Sequence, residues 1–284
     1  MTSLPPVKWA SSPLSIDQEE TLNQVERALT VRLIATLGTL ITTTLDARVS
    51  EGLKIANKHG FDYLPVRRTQ TDPIIGIFSR LSPHTDDSLR VSEVFEPLGP
   101  NDLISAETSL LNFLWSADEQ PRRLVLEGTR IDGIVTLSDI QKLPVRMALF
   151  SLFIHFELLL NEQLRRMLGD TDPWVHLLPQ RAERVRTKWQ QFAESKMEQD
   201  IFSAMDLCDK RETAKKLHIL DKSPKFIEKS IKAIELHLRN PIAHGAEYAQ
   251  THNAALKTIR AARATRDWIR ELQHAIDAVP KFMS

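Results

Sequence analysis

The chain has 284 residues, 42% hydrophobic and 26% charged, which is enough for two domains with separate cores and excludes a low-complexity protein. A single cysteine, Cys208, excludes an internal disulfide framework and any zinc site built on several thiolates. Net charge is zero, but residues 1–146 hold 15 Lys+Arg against 19 Asp+Glu and residues 147–284 hold 22 against 18, so the back half carries the mild basic surplus.

The first residues, Met1-Thr2-Ser3-Leu4-Pro5-Pro6, lack a basic segment followed by an apolar core, so no secretory signal is expected. Residues Ile16 to Leu37 read as an amphipathic helix, with Leu22, Val25, Leu29, Leu33 and Ile34 at helical spacing. Short apolar runs follow. Leu64-Pro65-Val66 and Ile74 to Phe78 read as one pair of strands, and Arg123 to Leu126 and Ile131 to Val135 as another. A helix precedes each pair, Val49 to His59 and Ser109 to Ala117. Thr44–Gly60 aligns with Ser105–Pro121 at a constant offset, and Gly76 aligns with Gly133. The front half is therefore a tandem repeat, and packing the two apolar sheet faces together buries both.

Strand signals end at Pro144. Helices are expected over Val145–Leu168, Arg181–Met205, from Ser223-Pro224 to Leu238, and over Asn253–Ala278. The apolar stretch Met147–Phe156 is interrupted by His155 and followed by Glu157, too short to span a bilayer; a cytoplasmic protein with no membrane partner is the expectation. The fold class is thus α/β followed by all-α. The divisions are an N-terminal segment and helix (1–37), two modules (38–97 and 98–143) and a helical domain (144–284).

Two short motifs carry chemistry. Gly133-Ile134-Val135-Thr136-Leu137-Ser138-Asp139 runs from a strand into a helix start, where backbone N–H groups favour an anion. A threonine hydroxyl there can donate to a phosphate, and a carboxylate three residues on can accept from both hydroxyls of a ribose. The alternative is local, with Thr136 or Ser138 capping the helix and Asp139 complementing its dipole. The repeat from about Gly38 to Leu143 resembles a pair of CBS modules, the small domains named after cystathionine β-synthase, which typically bind adenine nucleotides in clefts between modules. The resemblance puts Thr136 and Asp139 on phosphate- and ribose-contacting positions and Thr44 and Ser105 near positions that line the pocket. In the first module Ser82 stands where the ribose acid is expected, so one competent cleft is implied rather than two. Arg122 and Arg123 are candidate phosphate contacts, with surface solvation as the alternative.

The second motif is Leu238-Arg239-Asn240-Pro241-Ile242-Ala243-His244-Gly245. Pro241 is expected to break the helix and push Asn240 out of helical geometry, presenting Arg239 and His244 on either side of the break. Guanidinium and imidazole together suit metal-free RNA cleavage. The ribose 2′-hydroxyl attacks the adjacent phosphate, leaving a 2′,3′-cyclic phosphate and a 5′-hydroxyl; the histidine moves the proton and the arginine stabilises the phosphorane charge. No carboxylate cluster suits two metal ions, so no metal or catalytic cofactor is expected. The alternative is a capping histidine and an arginine in a surface pair. The string closely resembles the Arg-Asn-x3-His signature of the HEPN superfamily, many of whose members are metal-independent ribonucleases acting as dimers. Phe156 to Arg165 resembles the first long helix of that fold. The resemblance implies Arg239 and His244 as the catalytic pair, Asn240 as assistant, and Glu157, Asn161 or Glu162 as helpers. Lys210, Arg211, Lys215 and Lys216 are candidate contacts to an RNA backbone, with a solvated helix face as the default.

Together these readings imply an endoribonuclease regulated by ATP, ADP or AMP, with RNA as substrate, a homodimer or higher oligomer as assembly and a role in defence or stress. The competing reading is a non-catalytic sensor or adaptor.

Overall fold

Short apolar runs in the front half build two four-stranded sheets. The structure, a computed structural model, describes residues 17–38, 40–83, 86, 88–195, 200–243 and 248–278. Leu29–Pro144 forms one compact unit, and the helices from Val145 onward together with α1 (Asp17–Ala28) form the other.

In the front unit the strands are β1 (Thr36–Leu37), β2 (Thr43–Thr44), β3 (Tyr63–Arg67), β4 (Ile74–Ser79), β5 (Glu96–Pro97), β6 (Leu103–Ser105), β7 (Arg122–Glu127) and β8 (Arg130–Thr136). One sheet has the order β2-β3-β4-β5 and the other β1-β8-β7-β6. Helix α2 (Val49–His59) and the short α3 (Val91–Val94) cover the first sheet, burying Val49, Ala56 and Val91 against Leu64, Val66 and Phe78. Helix α4 (Leu110–Leu114) belongs to the second, with Ser109 as its N-cap accepting from the Asn112 N–H at 3.2 Å. Ile74 and Ile77 of the first module pack against Leu124 of the second, flanked by Leu103, Ile131 and Ile134, so the two sheets share one core as the repeat implied.

The helical periodicity through Leu37 does not hold. The helix stops at Ala28, and Thr30 bridges to Ser109. The Val31 N–H donates to Thr108 O at 2.8 Å and the Arg32 N–H to Ala106 O at 2.9 Å. These bonds repeat those of the first module, where Val91 N–H reaches Ala47 O and Ser92 N–H reaches Leu45 O. Residues 29–38 are thus the counterpart of 89–98, and β1 completes the sheet of the second module as β5 completes the first. The closing segment of the second repeat precedes the first in the chain.

That closure explains the matched glycines. A Cβ on Gly133 would lie 2.6 Å from Thr36 O, and one on Gly76 would lie 2.5 Å from Glu96 O. Each glycine lets the edge strand approach its neighbour's backbone. Gly133→Ala and Gly76→Ala are each expected to lower stability by about 1–3 kcal/mol, as overpacking does, measured by urea unfolding. Unchanged midpoints would show that the edge strands are not held this way.

The helical unit comprises α5 (Leu143–Leu168), α6 (Pro179–Glu194), α7 (Leu207–Lys216), α8 (Pro224–Ile234), α9 (Asn240–Ala243) and α10 (His252–Ala278). The expected helix to Met205 ends at Glu194, and Ile201–Ala204 is a separate 3-10 turn. Phe156 on α5 meets Trp268 on α10 edge-on at 6.3 Å, and the Trp268 indole donates to Ser230 Oγ on α8 at 2.8 Å. Leu143, Met147, Phe150 and Ile154, spaced four, three and four residues apart, stay exposed along α5. This 26-residue helix is long and apolar enough to cross a membrane by composition, correcting the shorter span read from sequence, and half of its most apolar stretch is buried in the protein.

Candidate functional site

The front site grows from the end of β8. Thr136 closes the strand opposite Arg122, and a 3-10 turn, Leu137–Gln141, follows. The Thr136 N–H donates to Asp139 Oδ2 at 2.7 Å, and its hydroxyl reaches the same oxygen at 3.1 Å. Thr136 Oγ1 and Ser138 Oγ lie 2.7 Å apart. Two hydroxyls and a carboxylate therefore converge at one strand end, by a capping box rather than by chance proximity. Asp139 Oδ1 also pairs with Lys142 Nζ at 2.7 Å. Lys142 escaped the sequence reading, although its i+3 spacing from Asp139 was visible.

The remaining front-half candidates fare differently. Arg122 is committed elsewhere. Its guanidinium pairs with Glu96 and lies over the Tyr63 ring at 4.9 Å, tying the two modules together. Ser105 pairs with Leu126, four residues along β7 from the Arg122–Thr136 pair, about 13 Å at strand rise. The sheet therefore does not bring Ser105 to the Thr136 cluster. Its hydroxyl accepts from the Glu107 N–H at 3.2 Å. Thr44 holds the equivalent place in the first sheet, opposite Arg67, and its neighbour Thr43 carries a buried hydroxyl without a hydrogen-bond partner. In the first module the Ser79 hydroxyl accepts from the Leu81 N–H at 3.2 Å, and Arg80 pairs with Asp62. Ser82 supplies no carboxylate there.

The back-half motif corrects an expectation. Pro241 does not break the helix. Asn240 is helical, at φ −64° and ψ −47°, and Glu235–Arg239 forms a π-helical turn in which the Asn240 N–H donates to Glu235 O, five residues back. The wider turn takes up the missing N–H and the ring of Pro241, which an α-helix would drive into the carbonyl four residues earlier. Leu238 and Ile242 anchor the turn in the core. Arg239 and Asn240 are half-buried beside each other, with Arg239 Nη1 donating to Asn240 Oδ1 at 3.0 Å. His244 lies outside the described residues.

Tyr248 is buried, and burial pushes its phenol up to about 12 against the opposing pull of Arg146, whose guanidinium sits 5.1 Å from the ring centre. The phenol therefore stays protonated near neutrality and is a poor proton carrier there.

The helper residues on α5 and the basic residues on α7 are largely occupied. Glu157 Oε1 accepts from Lys210 Nζ at 2.6 Å. Glu162 pairs with Arg165 and Arg166. Asn161 Oδ1 is buried with no hydrogen-bond partner, the one candidate on this helix whose acceptor remains unused. Arg211 reaches Glu235 at 2.7 Å, so α7 braces the first residue of the π turn, and it also donates to Cys208 Sγ at 3.0 Å. Lys215 pairs with Glu212 and Glu228. The side chains of Lys210 and Arg211 are buried, which corrects both the default reading as a solvated helix face and the alternative as RNA contacts: ion pairs hold them inside the bundle. Lys216 is exposed. Among the described residues no group of three or more His, Cys, Asp or Glu side chains is placed to hold a metal ion.

No family model matches the chain, and no curated protein matches it. Among solved structures it is similar to the CBS domain of a bacterial CNNM/CorC family Mg2+ transporter in complex with ATP (20% identity, 45% of this chain and 94% of that one, TM-score 0.36). It is similar also to the CBS domains of a transcriptional regulator from Streptococcus pneumoniae (18%, 39% and 96%, TM-score 0.34). A CBS domain-containing protein of unknown function from Bacillus anthracis str. Ames Ancestor gives 16%, 43% and 96%, with TM-score 0.36. The front unit is similar to CBS domains. These CBS-like modules carry the Thr136–Asp139 cluster in the second copy alone.

Proposed function

We propose that the protein is an adenine-nucleotide-regulated ribonuclease. The CBS-like pair binds one nucleotide through Asp139 and Thr136, and Arg239, Asn240 and His244 of the helical unit cleave RNA without a metal. The convergence of Thr136, Ser138 and Asp139 at the end of β8 carries the nucleotide half of this reading. The transporter domain similar to the front unit is in complex with ATP, which accords with it. The nuclease half is supported by Arg239, which Asn240 holds in a π turn braced through Glu235, a pre-ordered guanidinium of the kind that phosphoryl chemistry uses. In this reaction the 2′-oxygen bonds to phosphorus as the bond to the 5′-oxygen breaks; the proton leaves the 2′-hydroxyl and one is delivered to the 5′-oxygen. Differential affinity of a nucleotide for two states of the protein would supply the regulation.

The test is labelled single-stranded RNA incubated in EDTA with ATP, ADP, AMP or no nucleotide. Cleavage leaving cyclic-phosphate ends supports the nuclease, and no cleavage under any nucleotide sinks it. Separately, Asp139→Ala is expected to weaken nucleotide binding at least tenfold, because a hydrogen bond to a charged group is worth about 1.5–3 kcal/mol. Unchanged calorimetry would remove the ligand from this site.

A second reading, a non-catalytic sensor or adaptor, is favoured by one observation. Lys210, Arg211 and Glu157 are consumed by internal pairs rather than turned toward a substrate. In either reading the exposed row Met147, Phe150 and Ile154 of the helical unit suits contact with a second copy of the chain.

A further inference from the structure

Both oxygens of Asp139 are already engaged before any ligand arrives. Its Oδ2 accepts from the Thr136 N–H at 2.7 Å and the Thr136 hydroxyl at 3.1 Å, and its Oδ1 is held by Lys142 Nζ at 2.7 Å. The same ammonium donates to the carbonyl of Ile34, at the end of the 3-10 turn Val31–Leu33. The Asp139 side chain is only 13% exposed and that of Lys142 is 44% exposed, so a largely buried carboxylate is held by a partner that itself reaches solvent. Backbone bonding fixes Oδ2, whereas Oδ1 is held by a mobile four-carbon stem. A ribose diol seeking Asp139 must therefore compete for Oδ1 with the ammonium.

We propose that Lys142 determines ligand selection at this site, admitting phosphorylated adenosines and penalising unphosphorylated ones. The inference rests on Asp139 being the ribose-binding acid. An adenosine that takes Oδ1 strips the ammonium of its carboxylate and gives nothing back. An adenosine phosphate brings its own anion, and the released ammonium pairs with it. Lys142 Nζ and the Thr136 hydroxyl bond opposite oxygens of one carboxylate, so a phosphate beside Thr136 falls within the sweep of the lysine stem. A compact ammonium with rotatable donors suits such an exchange of partners better than a planar guanidinium. Partly exposed pairs of this kind are worth up to about fivefold in an equilibrium constant each, and exchange of one for another changes selectivity rather than total affinity.

The experiment is calorimetry on the full chain with AMP and adenosine, comparing wild type, Lys142→Met, Lys142→Arg and Asp139→Asn. The wild type is expected to prefer AMP at least tenfold. Lys142→Met should compress that ratio to about threefold or less by strengthening adenosine while AMP stays near its wild-type affinity, and Lys142→Arg should restore most of it. Parallel shifts for both ligands in Lys142→Met, or none, would overturn the inference while leaving the nucleotide site standing. Binding of neither ligand to wild type, with Asp139→Asn unchanged, would overturn the nucleotide reading itself, and with it the role given to Lys142.

Discussion

His244→Ala is expected to remove RNA cleavage, by about 10²–10⁴-fold, while leaving the unfolding midpoint and nucleotide binding unchanged. The magnitude follows from the role. With no metal to activate the 2′-hydroxyl, a side chain that titrates near neutrality must move the proton, and the motif offers one such group. Arg239→Lys separates charge from geometry. It keeps the positive charge but loses the planar fork that Asn240 holds through Nη1, so a fall of about 10²-fold or more is expected from lost stabilisation of the phosphorane. Asn240→Ala should cost less, since it frees the guanidinium without removing it. A rate–pH profile keeping its shape in Asn240→Ala but losing its near-neutral limb in His244→Ala would assign the proton to His244. Equal residual cleavage in His244→Ala and wild type would end the nuclease proposal and leave the adaptor reading.

The parts of this architecture that sequence reveals are those where side-chain period and backbone agree. The strands β3, β4, β7 and β8 carry long enough apolar runs, and Gly76 and Gly133 mark the same point in both copies. The closing segments were hidden because β1 and β5 are two residues each, too short for any periodicity, and because Leu33 and Ile34 continue the spacing of α1. Tertiary bonds from Val31 and Arg32 to the second module override that local pattern. Asp139 and Thr136 were legible since the cluster spans four consecutive residues. The partners of Arg122 were not, because Glu96 and Tyr63 come from the other module. The π turn is similar: a proline in a helical run signals a disturbance, but whether the chain breaks or widens depends on the packing of Leu238 and Ile242. Helix α7 escaped for a further reason. Lys210 and Arg211 read as part of a solvated face, yet both are buried, as is Asp209 beside them, held by Arg181 and Arg184.

The ion pair between Glu157 and Lys210 turns that lesson into a measurement. Lys210 has a side chain only 4% exposed, and Glu157 Oε1 lies 2.6 Å from its ammonium across 53 positions in sequence. Removing the carboxylate strands a buried positive charge, so Glu157→Ala is expected to cost about 3–5 kcal/mol, the range for breaking one side of a buried pair. Lys210→Met should cost less, because Glu157 is the more exposed partner and water can take over its solvation. Glu157→Leu with Lys210→Met should recover much of the loss, since replacing both charges by apolar groups removes the desolvation penalty together with the attraction. The double-mutant cycle in urea, closed with the Glu157→Leu single variant, isolates the coupling. A Glu157→Ala protein of wild-type stability would show that Lys210 finds another partner and would return Glu157 to the candidates for catalysis. A destabilised single mutant whose stability and RNA cleavage both return in the apolar pair would mean that Glu157 serves the bundle and not the reaction.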